Sequence, residues 1–248
     1  MPIPQLSAED LNLLRQYDTP TICNVIELFD AQPRTAGYMD GRIRACFPEM
    51  PPIVGYAATA TIRCAFPRSQ GAVYGSLDEQ VERFSEIPGP PIVVFQDLDD
   101  PAVAATFGEI MCSTYQAFGA VGLITSGAAR DLDQVRRLGF SAFSNGVIVS
   151  HGYSHIVSVH TPVRVGGVAV HPGDLLHADA NGVTAIPHAI ASEVARAAAD
   201  YVAAEGVILE FNKSGSKDVK KFTEARVECF RLFAELGKRF SARRATSA

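Results

Sequence analysis

Between Val54 and Phe143 the chain alternates short apolar runs with helix-forming segments, and few folds accept that pattern. The runs are Val54–Arg63, Ile92–Phe95, Val121–Thr125 and Ser141–Phe143. The segments between them, near 76–87, 107–118 and 132–138, have helical character, and Pro88-Gly89-Pro90-Pro91 ends the first. A strand followed by a helix and another strand implies a partly parallel sheet and an α/β fold. In such sheets ligands gather at the carboxyl ends of the strands. Two loops occupy such ends, the acidic Asp97–Pro101 and the small-residue Ser126–Asp131.

Flanking segments complete the outline. Ser7 reads as a helix N-cap, and Thr19 as a second cap with Pro20 at the first helical position. Residues 32–52 read as a long connection rich in Pro, Gly and Arg. After Val157 the pattern turns to short β segments, with a Gly166-Gly167 hairpin between Val163–Val165 and Val168–Val170. Helix returns at 188–205 and again at about 217–240, where Phe222, Cys229, Phe233, Leu236 and Phe240 form one stripe. No repeat or linker divides the chain. The expectation is one domain over 1–212 with a helical extension over 213–248, packed on the same domain or on a neighbouring subunit.

Composition narrows the class. The net charge of −5 argues against a nucleic-acid partner. The charge is uneven: residues 213–248 hold ten Lys/Arg and four Asp/Glu. No apolar run is long enough to span a bilayer, and the start lacks the features of a signal peptide, so a cytoplasmic protein without membrane contact is expected. The five cysteines are scattered, without Cys-x-x-Cys spacing, which indicates neither a zinc knuckle nor a disulfide framework.

Three residues carry candidate chemistry: Glu109, and after twenty intervening residues the pair Arg130-Asp131. Gly108 before a helix lets a ligand approach the backbone, and the first-turn N–H groups around Ile110 and Met111 favour an anion. Arg130 suits a carboxylate, and Asp131 is a hard oxygen ligand for Mg²⁺ or Mn²⁺. Both acids also have plain readings, Glu109 as a first-turn acid offsetting the helix dipole and Asp131 as a helix cap. His151, His155, His160, His171 and His177 cluster in the sequence, and a metal role would require them to converge. Asp97, Asp99 and Asp100 read either as a metal loop or as a solvated turn.

From Thr19 to Pro187 the chain resembles the RraA-like family, which includes 4-hydroxy-4-methyl-2-oxoglutarate/4-carboxy-4-hydroxy-2-oxoadipate aldolases. The likeness is most specific over Gly108–Asp131 and Pro162–Pro187. It implies a layered β/β/α sandwich flanked by helices, assembled as a trimer or a pair of trimers. It also implies that Asp131 binds the divalent cation, Arg130 holds the pyruvyl group and Glu109 orients water on the metal. By the same resemblance, the amides near Gly108, Ile110 and Met111 are expected to take the substrate carboxylate. The expected activity is retro-aldol cleavage or decarboxylation of a small 2-oxo acid, such as a 4-hydroxy-2-oxo dicarboxylic acid or oxaloacetate, with release of pyruvate. The alternative is a non-catalytic family member that binds and regulates a ribonuclease. Ser126 and Asn24 stand where the family often has Asp, and the His151–His155 segment is unlike the aldolases, which marks a divergent branch and makes these two histidines subfamily-specific candidates.

Overall fold

The computed structural model describes residues 4–67 and 76–247, with side chains described through Phe240. Two short helices, α1 (Ala8–Leu14) and α2 (Thr19–Glu27), lead to strands β1 (Arg44–Ala45) and β2 (Ile53–Arg63). Helix α3 (Leu77–Glu82) precedes β3 (Pro91–Asp97) and β4 (Ala105–Phe107). Then come α4 (Glu109–Ala117), β5 (Gly122–Thr125), β6 (Ala128–Ala129), α5 (Leu132–Leu138) and β7 (Ser141–Ser144). Five short strands follow, β8 (His155–Val159), β9 (Val163–Val165), β10 (Val168–Val170), β11 (Leu175–Asp179) and β12 (Gly182–Ile186), and the chain ends in α6 (Ala191–Lys213) and α7 (Val219–Ser247).

The long strand β2 organises an eight-stranded mixed sheet. On one edge β2, β3, β5 and β7 run parallel, as the strand–helix alternation requires. The other edge of β2 is divided between antiparallel partners, β11 beside Ile53–Tyr56 and β8 beside Ala60–Arg63. Alternate side chains serve two cores, which is the period-2 geometry of a strand. Val93 and Phe95 face the helices, whereas Ile92 and Val94 face the β9–β10 hairpin layer. This is the expected β/β/α layering of an α/β fold.

Several local expectations change. Asp18, not Thr19, caps α2 by accepting the Thr21 N–H, and Thr19 instead bonds to buried His177 and Asp179. Helix α4 begins at Glu109 rather than 107 because Phe107 is drawn into β4 and Gly108 is extended. Helix α6 runs eight residues beyond the expected end at 205, since α7 folds back along it and covers Ala204 while Phe222 meets Phe211. Of the α7 stripe, Cys229, Leu236 and Phe240 are buried, and Phe233 stacks on Tyr201 at 4.5 Å.

Candidate functional site

The two-stranded parallel pairing of β4 with β6 sets the geometry of the site. Each strand runs out into a chemistry-bearing pair, Gly108-Glu109 after β4 and Arg130-Asp131 after β6. The Arg130 N–H donates to the Phe107 carbonyl at 3.2 Å, which fixes the register between them. Residues separated by twenty positions in sequence thus become neighbours. Neither strand shows periodicity of its own, being three and two residues long.

Asp131 has φ +54°, in the left-handed region that Asp tolerates better than most residues. It sits at the N-cap of α5, but its side chain makes no bond to that helix. The capping reading is therefore corrected: the carboxylate crosses to the other helix and accepts the Glu109 N–H at 3.1 Å through Oδ2. This satisfies one of the orphan donors of α4 and places a negative charge at its positive end. Arg130 Nε lies 3.7 Å from the same oxygen. Asp131 Oδ1 has no partner among the described residues.

Gly108 makes room for the side chains around it. A Cβ there would collide with Asp131 Oδ2 and stand 3.0 Å from Arg130 Nε. The missing side chain admits the Asp131 carboxylate to the helix end. The first-turn N–H groups of Ile110 and Met111 remain without intrahelical partners, as helix geometry dictates. The Met111 side chain is buried, the Ile110 side chain is 61% exposed, and Glu109 is exposed. With 25% and 32% of the Arg130 and Asp131 side chains exposed, the site is a shallow cradle open on one side.

The histidines do not join it. His177 is fully buried between Thr19 and the Leu14 carbonyl, and burial holds its pKa below the usual value. His151 and His155 each bond to a nearby backbone carbonyl, and His160 lies 3.2 Å from Glu86. Among the described residues no three His, Cys, Asp or Glu side chains come together in a way that could hold a metal ion. In the acidic loop Asp100 is exposed, as a solvated turn would have it, but the other two acids are not. Asp97 is buried, and Asp99 Oδ2 accepts the N–H groups of Cys64 and Ala65 at 2.6 and 2.9 Å. Sequence reasoning missed the structural weight of Asp97, whose only signal was its place at the end of a buried strand.

With the geometry established, similarity to known proteins becomes informative. The family model described as "RraA-like: Aldolase/RraA" matches residues 19–185. A putative 4-hydroxy-4-methyl-2-oxoglutarate aldolase of Halalkalibacterium halodurans is 34% identical over 101 residues, 40% of this chain and 47% of that protein. Protein DlpA of Legionella pneumophila is 23% identical over 185 residues, 74% of this chain and 29% of that protein. The chain thus spans less than half the length of these relatives. Among solved structures, an uncharacterized protein from Pseudomonas syringae pv. tomato superposes with a TM-score of 0.70 at 23% identity, covering 92% of this chain and 97% of that one. Streptomyces coelicolor RraAS2, described as an unusual member of the RNase ES inhibitor RraA protein family, gives 0.66 at 23% identity, covering 85% and 98%. These two structures share the fold. The match across residues 19–185, which includes the whole Gly108–Asp131 cradle, places the chain in the RraA-like family.

Proposed function

We propose that the chain is a divalent-metal-dependent lyase that cleaves a small 2-oxo acid and releases pyruvate. The observation that carries this reading is the shared geometry of Gly108-Glu109 and Arg130-Asp131, with Asp131 Oδ2 fixed by the Glu109 N–H and Oδ1 left without a partner. A single carboxylate oxygen at an open surface fits Mg²⁺ or Mn²⁺, which keep several waters and take one or two protein carboxylates. It does not fit Zn²⁺, which needs three or four side-chain ligands. When bound, such an ion supplies Lewis-acid polarisation of the 2-oxo group.

The residues of the chain do the rest. The N–H groups of Ile110 and Met111, at the positive end of α4, receive the substrate carboxylate. Arg130 is held beside them by its backbone bond to Phe107 and directs its guanidinium at the 2-oxo oxygen. Cleavage removes the proton from the C4 hydroxyl, breaks the C3–C4 bond into a carbonyl product, and leaves the electron pair as the pyruvate enolate. Arg130 stabilises that developing charge. Glu109, exposed at the rim, takes the hydroxyl proton and returns a proton to C3. Loss of CO₂ from oxaloacetate leaves the same enolate and needs only the second proton step.

The exposed side chains of Ile110, Val147 and Val149 support an interface between copies of the chain, and the trimer or pair of trimers that the family resemblance implies belongs to this reading. The test is pyruvate release from 4-hydroxy-2-oxo dicarboxylic acids and oxaloacetate with Mg²⁺ or Mn²⁺. Turnover that disappears in Arg130→Ala and Asp131→Ala is the expected result. No turnover by the unaltered chain, together with stoichiometric binding of a ribonuclease, would overturn it.

A further inference from the structure

Helices α6 and α7 lie outside residues 19–185, the stretch that matches the family. They form an antiparallel hairpin, in which Asp200 pairs with Arg239, Tyr201 stacks on Phe233 and Phe211 meets Phe222 at 5.6 Å. The root of the hairpin is anchored. Val194, Ala198 and Tyr201 of α6 are buried, and Phe240 of α7 meets Phe29 of the body at 5.1 Å. The far half is an overhang, since no residue of α6 beyond Ala204 and none of α7 before Cys229 is buried.

The overhang is too apolar for that position. Val207, Ile208, Leu209 and Phe211 spread over roughly 200° of the α6 surface at about 100° per residue, more than the single neighbour α7 covers. A helix apolar over so wide an arc is normally buried. Leu209 is 52% exposed, and on α7 Val219, Val227 and Phe230 are 76%, 63% and 59% exposed. These three α7 residues fall within about 80° of one another around the helix, so they make one stripe. Single exposed apolar side chains are ordinary on a protein surface, but a stripe on a helix with one neighbour marks an interaction site.

Charge identifies the occupant. Lys213, Lys217, Lys220, Lys221 and Arg226 share the overhang, and none makes an ion pair among the described residues, whereas Arg231 and Arg239 nearer the root do. Residues 213–248 hold ten Lys/Arg and four Asp/Glu, a net of +6, which leaves −11 on residues 1–212. Two overhangs repel each other, while an overhang and the acidic body of another copy attract. We propose that the overhang docks on the body of a second copy of this chain, with the α7 stripe against its surface and the lysines around the rim. An arm on a body is a heterologous contact, which forms a ring when its rotation closes. The contact is independent of the lyase reading, because assembly is measured without substrate.

The experiment is sedimentation of the full chain at about 1–100 µM, the range of moderate affinities. It is run at roughly 0.01 M and 1 M salt, between which the screening length falls from about 30 to 3 Å. The unaltered chain is compared with Val227→Glu, Phe230→Glu and the double variant Lys220→Glu with Lys221→Glu. The expected result is an assembly of two or more copies that Val227→Glu and Phe230→Glu each weaken by about tenfold or more. The lysine variant weakens it by a similar factor at low salt and by less at high salt. All four side chains are exposed, so the helical signal in circular dichroism stays parental and a lower mass is not a loss of fold. An unaltered chain that is monomeric at about 100 µM overturns the proposal, as do stripe variants with the parental mass. An assembly broken by Val149→Glu and by none of the overhang variants also overturns it. A monomeric chain that binds vesicles of phosphatidylserine and phosphatidylcholine overturns it in favour of an anionic membrane.

Discussion

Asp131 caps α4 and, under the proposed function, would hold the divalent cation, and a substitution series at that position pulls the two apart. Its Oδ2 caps α4 through the Glu109 N–H, and its backbone sits at φ +54°. Asn keeps an acceptor oxygen and tolerates the left-handed region, so Asp131→Asn is expected to change stability by less than about 0.5 kcal/mol. Gly accepts the backbone but loses the acceptor, which costs about 1 kcal/mol for a lost cap. Ala loses the acceptor and also meets the left-handed penalty of roughly 1–2 kcal/mol, for a total of about 2–3 kcal/mol. The Arg130 contact adds little, because the pair is partly exposed and 3.7 Å apart.

The assay is thermal and denaturant unfolding of the three variants beside the unaltered chain. For a chain of this size about 1 kcal/mol moves Tm by roughly 2–4 °C. The order should be Asn nearest the parent, then Gly, then Ala lowest by roughly 5–10 °C. Pyruvate release follows a different order, because all three variants lack the negative carboxylate and all should lose it. An Ala variant as stable as the Asn variant would refute the cap and strain argument. An Asn variant with parental turnover would refute the role of the charge, whatever the stability order.

Other consequences are as direct. Gly108→Ala should displace the Asp131 carboxylate, costing about 1–3 kcal/mol in unfolding free energy and roughly 100-fold in kcat/KM. Burial first, and then the charges of Asp99 and Asp100, push the Asp97 pKa up to about 6, against a local bond from the Asp99 N–H that lowers it. A carboxyl raised in the folded state stabilises the protein below its unfolded pKa, and that contribution is lost as pH rises through about 4 to 6. Asp97→Asn should remove this slope, seen as unfolding free energies from denaturant titration that converge with the parent at pH 4 and exceed it by up to about 3 kcal/mol at pH 7. Leu236→Ala on α7 should cost about 2–4 kcal/mol in urea unfolding, because Leu236 is buried in the main core. Parental stability would show that α7 does not belong to the cooperative unit.

Legibility in the sequence followed the range of the forces involved. The parallel strands were readable because Ile92–Phe95 and Val121–Thr125 are apolar on both faces, and both faces are covered. The residues of the cradle were readable as types, and Glu109, Arg130 and Asp131 do meet. Their arrangement was not, because β4 and β6 have three and two residues and no pattern of their own. Thr19 looked like a cap because Thr-Pro is a common helix start, yet the Asp18 carboxylate takes the Thr21 N–H while Thr19 turns inward to His177. The histidines looked like a cluster because sequence proximity carries no information about direction. The unsatisfied oxygen of Asp97 was invisible, since it depends on how Ser126 and Gly127 pack against it.

The charges of the cradle explain why the metal and the substrate are better considered together. The trio holds two acidic side chains, Glu109 and Asp131, against one basic side chain, Arg130. The positive end of α4 offsets about half a charge, and Asp131 already occupies one of its N–H groups. An anionic 2-oxo acid therefore meets a cradle with the right donors and the wrong net charge. Under the proposed function, a divalent cation on the open Asp131 oxygen would reverse the sign and leave Arg130, Ile110 and Met111 for the substrate. On this reasoning a cation that entered with the anion would let the second carboxylate, at Glu109, stand beside an anion site.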